Sequence, residues 1–318
     1  MSYADKIFID MCKDILENGT STEGEKVRPH WEDGTPAYTI KKFGVVNRYD
    51  LRAEFPALTL RKTGIKSAID EILWIYQRKS NNIRDLNSSI WDEWADENGS
   101  IGKAYGYQIG KMNKYKDVSF YGLMKAFPDY YLKDIRFIRD KDNKCVAIER
   151  DGCWEMSQID KVIYDLKNNP FSRRIMINMY NFEDLHEMNL YPCAYGMIFN
   201  VTQREGENKL TLNAVLTQRS QDVLAANNWN VVQYSALIHM LAQVCNMYIG
   251  ELVHIIADAH IYDRHIPLIK ELIERVTYKA PIVTFNPEID DFYDFTIDDI
   301  KVENYMTGEQ IKNIPIAI

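Results

Sequence analysis

From Val231 to Tyr248 the chain carries no Asp, Glu, Lys or Arg and is apolar almost all round. A helix without a polar face cannot lie on a surface, so this one is expected at the centre of the fold, covered by other elements. With 318 residues, 46% of them hydrophobic, the chain can bury a core large enough to enclose it. His239 and Cys245, inside the run, then read as packing residues. No apolar stretch approaches the roughly 20 residues that span a bilayer. The N-terminus, from Met1 to Lys6, lacks the basic-then-apolar pattern of a secretory signal. Five cysteines without a CxxC pair argue against a disulfide framework or a zinc site. A net charge of -8 gives no global basic field, so nucleic acid is disfavoured as a partner and any anionic ligand needs a local arginine cluster. A soluble, reduced, cytoplasmic setting is the expectation.

The segment feeding this helix, Tyr191 to Asn230, concentrates reactive side chains. It opens on Tyr191, Pro192, Cys193 and Ala194, passes through about twenty residues patterned as a β-hairpin, and reaches Gln218, Arg219, Ser220, Gln221 and Asp222. It closes on Asn227, Asn228, Trp229 and Asn230 at the mouth of the helix. A thiol, a guanidinium, a hydroxyl, a carboxylate and an amide on one compact segment suit a nucleophile beside an anion site and a polar reader.

Upstream, helical spacing over Ala4 to Glu17 puts Cys12 on an apolar stripe, hence in the core, with Asn18-Gly19 as the stop. Thr20 to Thr35 is a polar loop carrying Arg28, which is either solvated or functional. Tyr38 to Leu51 and Ala57 to Leu60 pattern as strands, and Gly64 to Gln77 as a helix. In that helix Glu71 borders the apolar set beside Trp74. It is either an edge carboxylate pointing outward or a desolvated one whose raised pKa suits proton relay. Trp91 and Trp94 are either core filler or a stacking wall for a flat ligand.

Residues 109–155 form a peripheral subdomain of a single domain spanning 1–318, with a hairpin between Ile135–Ile138 and Cys145–Ile148. Ser157 caps a helix that Asn168, Asn169 and Pro170 end. Arg173 and Arg174 precede the alternating strand Ile175, Ile177 and Met179; adjacent residues at a strand start point to opposite faces, so a single pocket on the same subunit rarely uses both. Downstream come a strand over Glu251–Ile256, His260 and His265 with no third metal ligand, and a helix over Pro267–Val276. Short strands follow around Ile282–Phe285, Phe292–Phe295 and Ile300–Val302. The apolar tail Ile314–Ile318 is expected to dock.

Taken together, several stretches resemble the folate-dependent thymidylate synthase family over nearly the whole chain. They are Glu71 with Leu73-Trp74, the run Ile90–Gly99, Ser172 to Ile175, Pro192-Cys193, Gln218 to Ser220 with Asp222, His260 to Tyr262, and Pro315 to Ile318, in the family's order. The resemblance implies an α/β (α+β) fold: a large twisted mixed sheet flanked by helices, two sheets packing back to back in a homodimer. It also resolves the arginine pair, since the family sends it into the partner's active site.

By resemblance, the substrate deoxyuridylate is held at its phosphate by Arg219, Ser220, the mobile-loop Arg28 and, from the second subunit, Arg173 and Arg174. His260 and Tyr262 hold the sugar hydroxyl, and Asn230 reads the pyrimidine. Cys193 adds to carbon 6 of uracil, with nearby arginines favouring its thiolate. Glu71 relays protons through water, and Tyr105 helps to remove the carbon 5 proton. Methylene-tetrahydrofolate supplies both carbon and hydride, so neither nicotinamide nor metal is required. Trp91 and Trp94 line the folate, Asp222 bonds its pterin while bordering the nucleotide, and Ile318 closes over the site.

The chain departs from the family's pattern in three places. The loop after Arg28 is longer, Ala194 replaces a histidine that orders water, and Asn227-Asn228-Trp229 replaces the common Leu-Pro-Phe. Asn230 is read as directly preceding the buried helix.

Two rivals follow. A pyrimidine hydroxymethylase of the same superfamily is disfavoured by Asn230, where a cytosine-specific member carries aspartate, and by the bulk of Trp91. A thiol hydrolase pairing Cys193 with His260 or His265 leaves the arginines unexplained.

Overall fold

The uncharged run folds as α6 (Asn227–Val244), and its residues are buried on every side, including Val231, Val232, Leu237, Ile238 and Leu241. The helix starts earlier and stops sooner than hydrophobicity alone implies. Asn246 adopts φ 54°, a left-handed conformation that asparagine tolerates, and turns the chain into a strand that already begins at Tyr248. Asn230 therefore lies in the first turn of the helix rather than ahead of it. This computed structural model describes residues 1–134 and 136–317, so Ile135 and the expected site residue Ile318 lie outside the described residues.

Beneath α6 runs a mixed sheet of β1 (Thr20–Ser21), β2 (Thr39–Asp50), β8 (Met176–Asn178), β9 (Ala194–Thr202), β10 (Thr211–Gln218), β11 (Gln221–Asp222) and β12 (Tyr248–Tyr262). Its order is β1-β2-β12-β10-β9-β8, with β11 also on β12. β12 pairs in parallel with β10 and β11, and antiparallel with β2. Pairing on both sides carries β12 well past the expected Glu251–Ile256, because ladder bonds do not depend on the polar side chains of Asp258 and His260.

Alternation then sorts the two faces. Met197, Ala214, Leu216 and Leu252 turn inward under the helices and are buried. Met176, Ile198, Val215 and Val253 lie in one cross-strand row on the other face, where Met176 and Ile198 are exposed.

On the inner side lie α1 (Tyr3–Asn18) and α2 (Ile65–Tyr76). α2 packs on α6, and α1 on β2. A second, antiparallel sheet is built from β3 (Asn113–Tyr115), β4 (Tyr131–Asp134), β5 (Phe137–Arg139), β6 (Cys145–Arg150) and β7 (Cys153–Met156), in the order β3-β7-β6-β5-β4. The short α3 (Gly106–Gly110) and α4 (Phe120–Ala126) and the Ser157-capped α5 (Gln158–Asn168) adjoin it. α7 (Ile266–Leu272), β13 (Ile282–Phe285) and β14 (Ile300–Glu303) complete the chain. Ile314 packs on the second core cluster and His265 Nε2 bonds the Pro315 carbonyl at 2.8 Å, which docks the tail.

Four sequence expectations fail for physical reasons. Ala57–Leu60 is buried but not a strand, because side chains take its amides: Asn228 Oδ1 bonds Leu58 N at 3.0 Å and Asp5 Oδ1 bonds Thr59 N at 2.8 Å. Phe292–Asp294 is a short 3-10 turn set by the Asp291 cap rather than a strand. α7 ends at Leu272, short of Val276. Arg173 and Arg174 precede the strand as expected, but they sit in an exposed turn ahead of β8 and outside its pleat, so the opposite-faces argument does not apply.

Candidate active site

The hairpin register builds the centre of the site. Pairing of Gln218 with Ala194 sets Cys193 beside Arg219, whose backbone N–H donates to the Cys193 carbonyl at 2.9 Å. The Arg219 guanidinium donates to the Tyr191 carbonyl at 2.8 Å and lies 3.5 Å from Cys193 Sγ. Tyr105 Oη accepts from Cys193 N at 3.1 Å. Tyr105 itself holds φ 44°, a strained value for a residue with a Cβ. The next residue must be glycine, because a Cβ at Gly106 would sit 1.9 Å from the Ser80 carbonyl oxygen.

The thiol does not behave as composition suggests. Burial pushes the Cys193 pKa up, and the opposing charges of Arg219 and Arg28 do not overcome it. Within one chain these two guanidiniums alone leave Cys193 favoured as a thiol; the expected thiolate counts Arg173 and Arg174 of a second subunit as well. Arg28 reaches the same region from its exposed loop, since its charge acts on both Cys193 and Tyr262. Arg173 and Arg174 do not join this group. Arg174 instead lines a groove with Lys111, Tyr115, Asp165 and Asn178.

Behind Arg219 lies a chain of amides that the sequence did not announce. Gln218 Nε2 donates to the Ser220 carbonyl at 3.0 Å and to Asn230 Oδ1 at 3.2 Å, and its Oε1 meets His254 Nε2 at 2.8 Å. Asn230 Nδ2 in turn donates to Gln233 Oε1 at 3.1 Å. Buried His254 is pushed down to about 3 by desolvation, so it is neutral and its Nε2–H donates. The signal for this chain was polar residues at inward positions: Gln218 and His254 on the core face of their strands, Gln233 buried within α6.

Glu71 lies on the inward face of α2 and is buried. Its pKa is pushed up to about 7, chiefly by burial, against the pull of Gln233, Trp229 and Trp91. Of these, Trp229 makes the hydrogen bond, Nε1 to Oε2 at 3.0 Å. Gln233 Nε2 and Trp91 Nε1 are buried without a partner in bonding geometry. Trp91 is enclosed by Trp74, Trp94 and Tyr105, at ring separations of 5.8, 5.8 and 5.0 Å, while Trp94 is half-exposed.

Pairing of β11 with β12 sets Asp222 opposite His260. His260 Nδ1 is oriented by Asp258 Oδ1 at 2.8 Å, and the His260 ring meets Tyr262 edge-on. Asp222 Oδ1 lies 3.5 Å from His265 Nδ1. Burial pushes Asp222 up, but His265, the Ala225 backbone N–H and His260 together outweigh it and hold the carboxyl below its ordinary value. Ser220 follows Arg219 in the turn between β10 and β11 and is half-buried. Cys12, His239 and Cys245 pack away from all of this. No group of three or more His, Cys, Asp or Glu among the described residues is placed to hold a metal ion.

This geometry can be set against known proteins. A family model described as thymidylate synthase matches residues 6–317. The chain is 38% identical over 315 residues to the thymidylate synthase of Bacillus subtilis subsp. natto, covering 98% of each protein. It is 37% identical over the same span to that of Bacillus licheniformis. Among solved structures, thermostable thymidylate synthase A from Bacillus subtilis superposes with a TM-score of 0.80 at 36% identity, over 99% of both chains. Fold, motif order and full-length similarity agree: this chain belongs to the thymidylate synthase family.

Proposed function

We infer that the chain converts deoxyuridylate to thymidylate, with methylene-tetrahydrofolate as carbon donor and reductant and dihydrofolate as second product. The observation that carries this reading is the closed set of contacts linking Cys193, Arg219, Gln218 and Asn230. Asn230 already spends one acceptor site on Gln218 and one donor on Gln233. The amide is therefore locked in one orientation, with one acceptor and one donor left. That pair complements the ring N–H and carbonyl of uracil; cytosine in the same pose reverses donor and acceptor, and an amide that cannot flip does not follow it, which disfavours a cytosine hydroxymethylase.

In this reading Arg219, Ser220 and Arg28 hold the phosphate, and His260 and Tyr262 hold the sugar. Cys193 adds to carbon 6, which makes carbon 5 nucleophilic enough to take the one-carbon unit. Glu71, with a pKa near working pH, exchanges protons with the base and the folate. Tyr105 assists loss of the carbon 5 proton. Trp91, Trp94 and Asp222 border the folate. Hydride then passes from the reduced folate to the exocyclic methylene.

The functional unit is a homodimer. The exposed apolar row of Met176 and Ile198 is a sheet face suited to a second copy. Arg173 and Arg174, free of their own site, complete the partner's phosphate pocket and supply the positive charge that favours a thiolate. The setting is cytoplasmic; no described helix is long and apolar enough to cross a membrane.

Incubation with deoxyuridylate and methylene-tetrahydrofolate is expected to yield dihydrofolate absorbance and thymidylate in equal amounts. Tetrahydrofolate with a hydroxymethylated nucleotide would select the rival. In the same assay, inactive Arg173→Ala and Cys193→Ser chains should regain part of the activity when mixed and exchanged. Persistent inactivity after proven exchange excludes shared arginines.

A further inference from the structure

Glu71 accepts one hydrogen bond among the described residues, and it comes from the indole of Trp229. That indole spans two elements. It belongs to the first turn of α6, adjacent to Asn230, and its ring lies against the start of α2, where a Cβ on Gly64 would come within 3.4 Å of Trp229 Cζ3. We propose that Trp229 is a positioning residue for Glu71, its N–H holding Oε2 at a fixed place relative to Asn230 and confining the carboxyl proton to Oε1. What Glu71 does rests on the proposed function above, whereas the contact that holds it is local to α2 and α6.

An indole N–H donates and never accepts. The carbonyl oxygen of a neutral carboxyl is a better acceptor than its hydroxyl oxygen, so the N–H favours Oε2 as the unprotonated oxygen in either state of the carboxyl. When Glu71 gains its proton, the proton sits on Oε1, so exchange with substrate or water runs through that oxygen alone. Loss of the N–H removes this bias and leaves the buried carboxylate with less stabilisation, since among the described residues the neighbouring Gln233 Nε2 and Trp91 Nε1 do not meet it in bonding geometry. The titratable groups facing it are Asp70 on its own helix, Tyr234 on α6 and Tyr105 ahead of α3. None of them donates a hydrogen bond to Glu71 that replaces Trp229.

The test compares Trp229→Phe, and 3-benzothienylalanine at the same position, which keeps the bicyclic shape and lacks the N–H. Both are expected to lower kcat about tenfold, leave KM for deoxyuridylate within about twofold, and move the pH-profile limb that Glu71→Gln abolishes upward by about one unit. An unmoved limb in both variants overturns the proposal, whatever happens to kcat, because packing loss alone leaves it in place. A second readout needs no turnover: the thermal-stability gain of Glu71→Gln over its parent begins near the ordinary carboxyl pKa in either background, but the pH at which that gain levels off should move up by about one unit in the Trp229→Phe background. A plateau that stays at the same pH overturns the proposal even in a chain that makes no dihydrofolate, whereas absent turnover with a moved plateau sinks only the functional reading.

Discussion

Cys193→Ser is expected to lower turnover by at least about four orders of magnitude while leaving deoxyuridylate affinity within about tenfold. The side chains that border Cys193 explain the asymmetry. Arg219 is anchored on the Tyr191 and Pro192 carbonyls, not by the thiol, so the anion site survives the substitution. A serine hydroxyl, by contrast, has no adjacent base in this site. Among the described residues, the donors and acceptors that Cys193 meets are Arg219, the Tyr191 carbonyl and the Tyr105 hydroxyl. None of them withdraws a proton from an alcohol at neutral pH. Equilibrium binding and single-turnover measurements separate the two effects. A serine variant that turned over at the wild-type rate would remove Cys193 from the mechanism.

Glu71→Gln is expected to cut kcat by about 10²- to 10⁴-fold and, at the same time, to stabilise the protein at alkaline pH. The amide keeps an oxygen for the Trp229 N–H but cannot exchange a proton. The stability effect follows from linkage. The carboxyl has a pKa of about 7 in the folded chain against an ordinary 4.5, because burial penalises the charge. The folded state then binds more protons than the unfolded state between those values, so stability falls as pH rises through that window. Above it, the ionised group costs on the order of 3 kcal/mol; below about pH 4.5 it costs nothing. Thermal melting should therefore place the glutamine variant above wild type at pH 8 and bring the two together near pH 5. Coincident melting at both values would mean that Glu71 is not buried as a titrating acid. Such a trade of stability for reactivity is common where a site holds a charged group in apolar surroundings.

Much of the framework was legible because it rests on local rules. The Ser157 cap, the Asn18-Gly19 stop and the β9–β10 hairpin each follow from side-chain chemistry within a few residues. The placement of Cys193 beside Arg219 follows from that hairpin's register. What escaped was long-range. Ala57–Leu60 has the apolar content of a strand, but Asp5 and Asn228, far away in sequence, claim its amides. The extent of β12 depends on partners on both sides. The thiol's rise depends on how completely the folded chain encloses it, and no count of arginines reveals that. The amide chain from His254 to Gln233 crosses two strands and a helix, so periodicity alone marks its members only as polar residues in unexpected places.

The central claim, that Cys193 bonds covalently to carbon 6 of the nucleotide and that folate then joins carbon 5, is open to one direct measurement. A 5-fluorinated deoxyuridylate has no proton at carbon 5 to lose, so the reaction should stop after carbon transfer. Intact-mass analysis after incubation with this nucleotide and methylene-tetrahydrofolate is expected to find one nucleotide and one folate added per occupied site, with peptide mapping placing the adduct on Cys193. A protein of unchanged mass, or an adduct on Cys12, Cys145, Cys153 or Cys245 instead, would contradict the account.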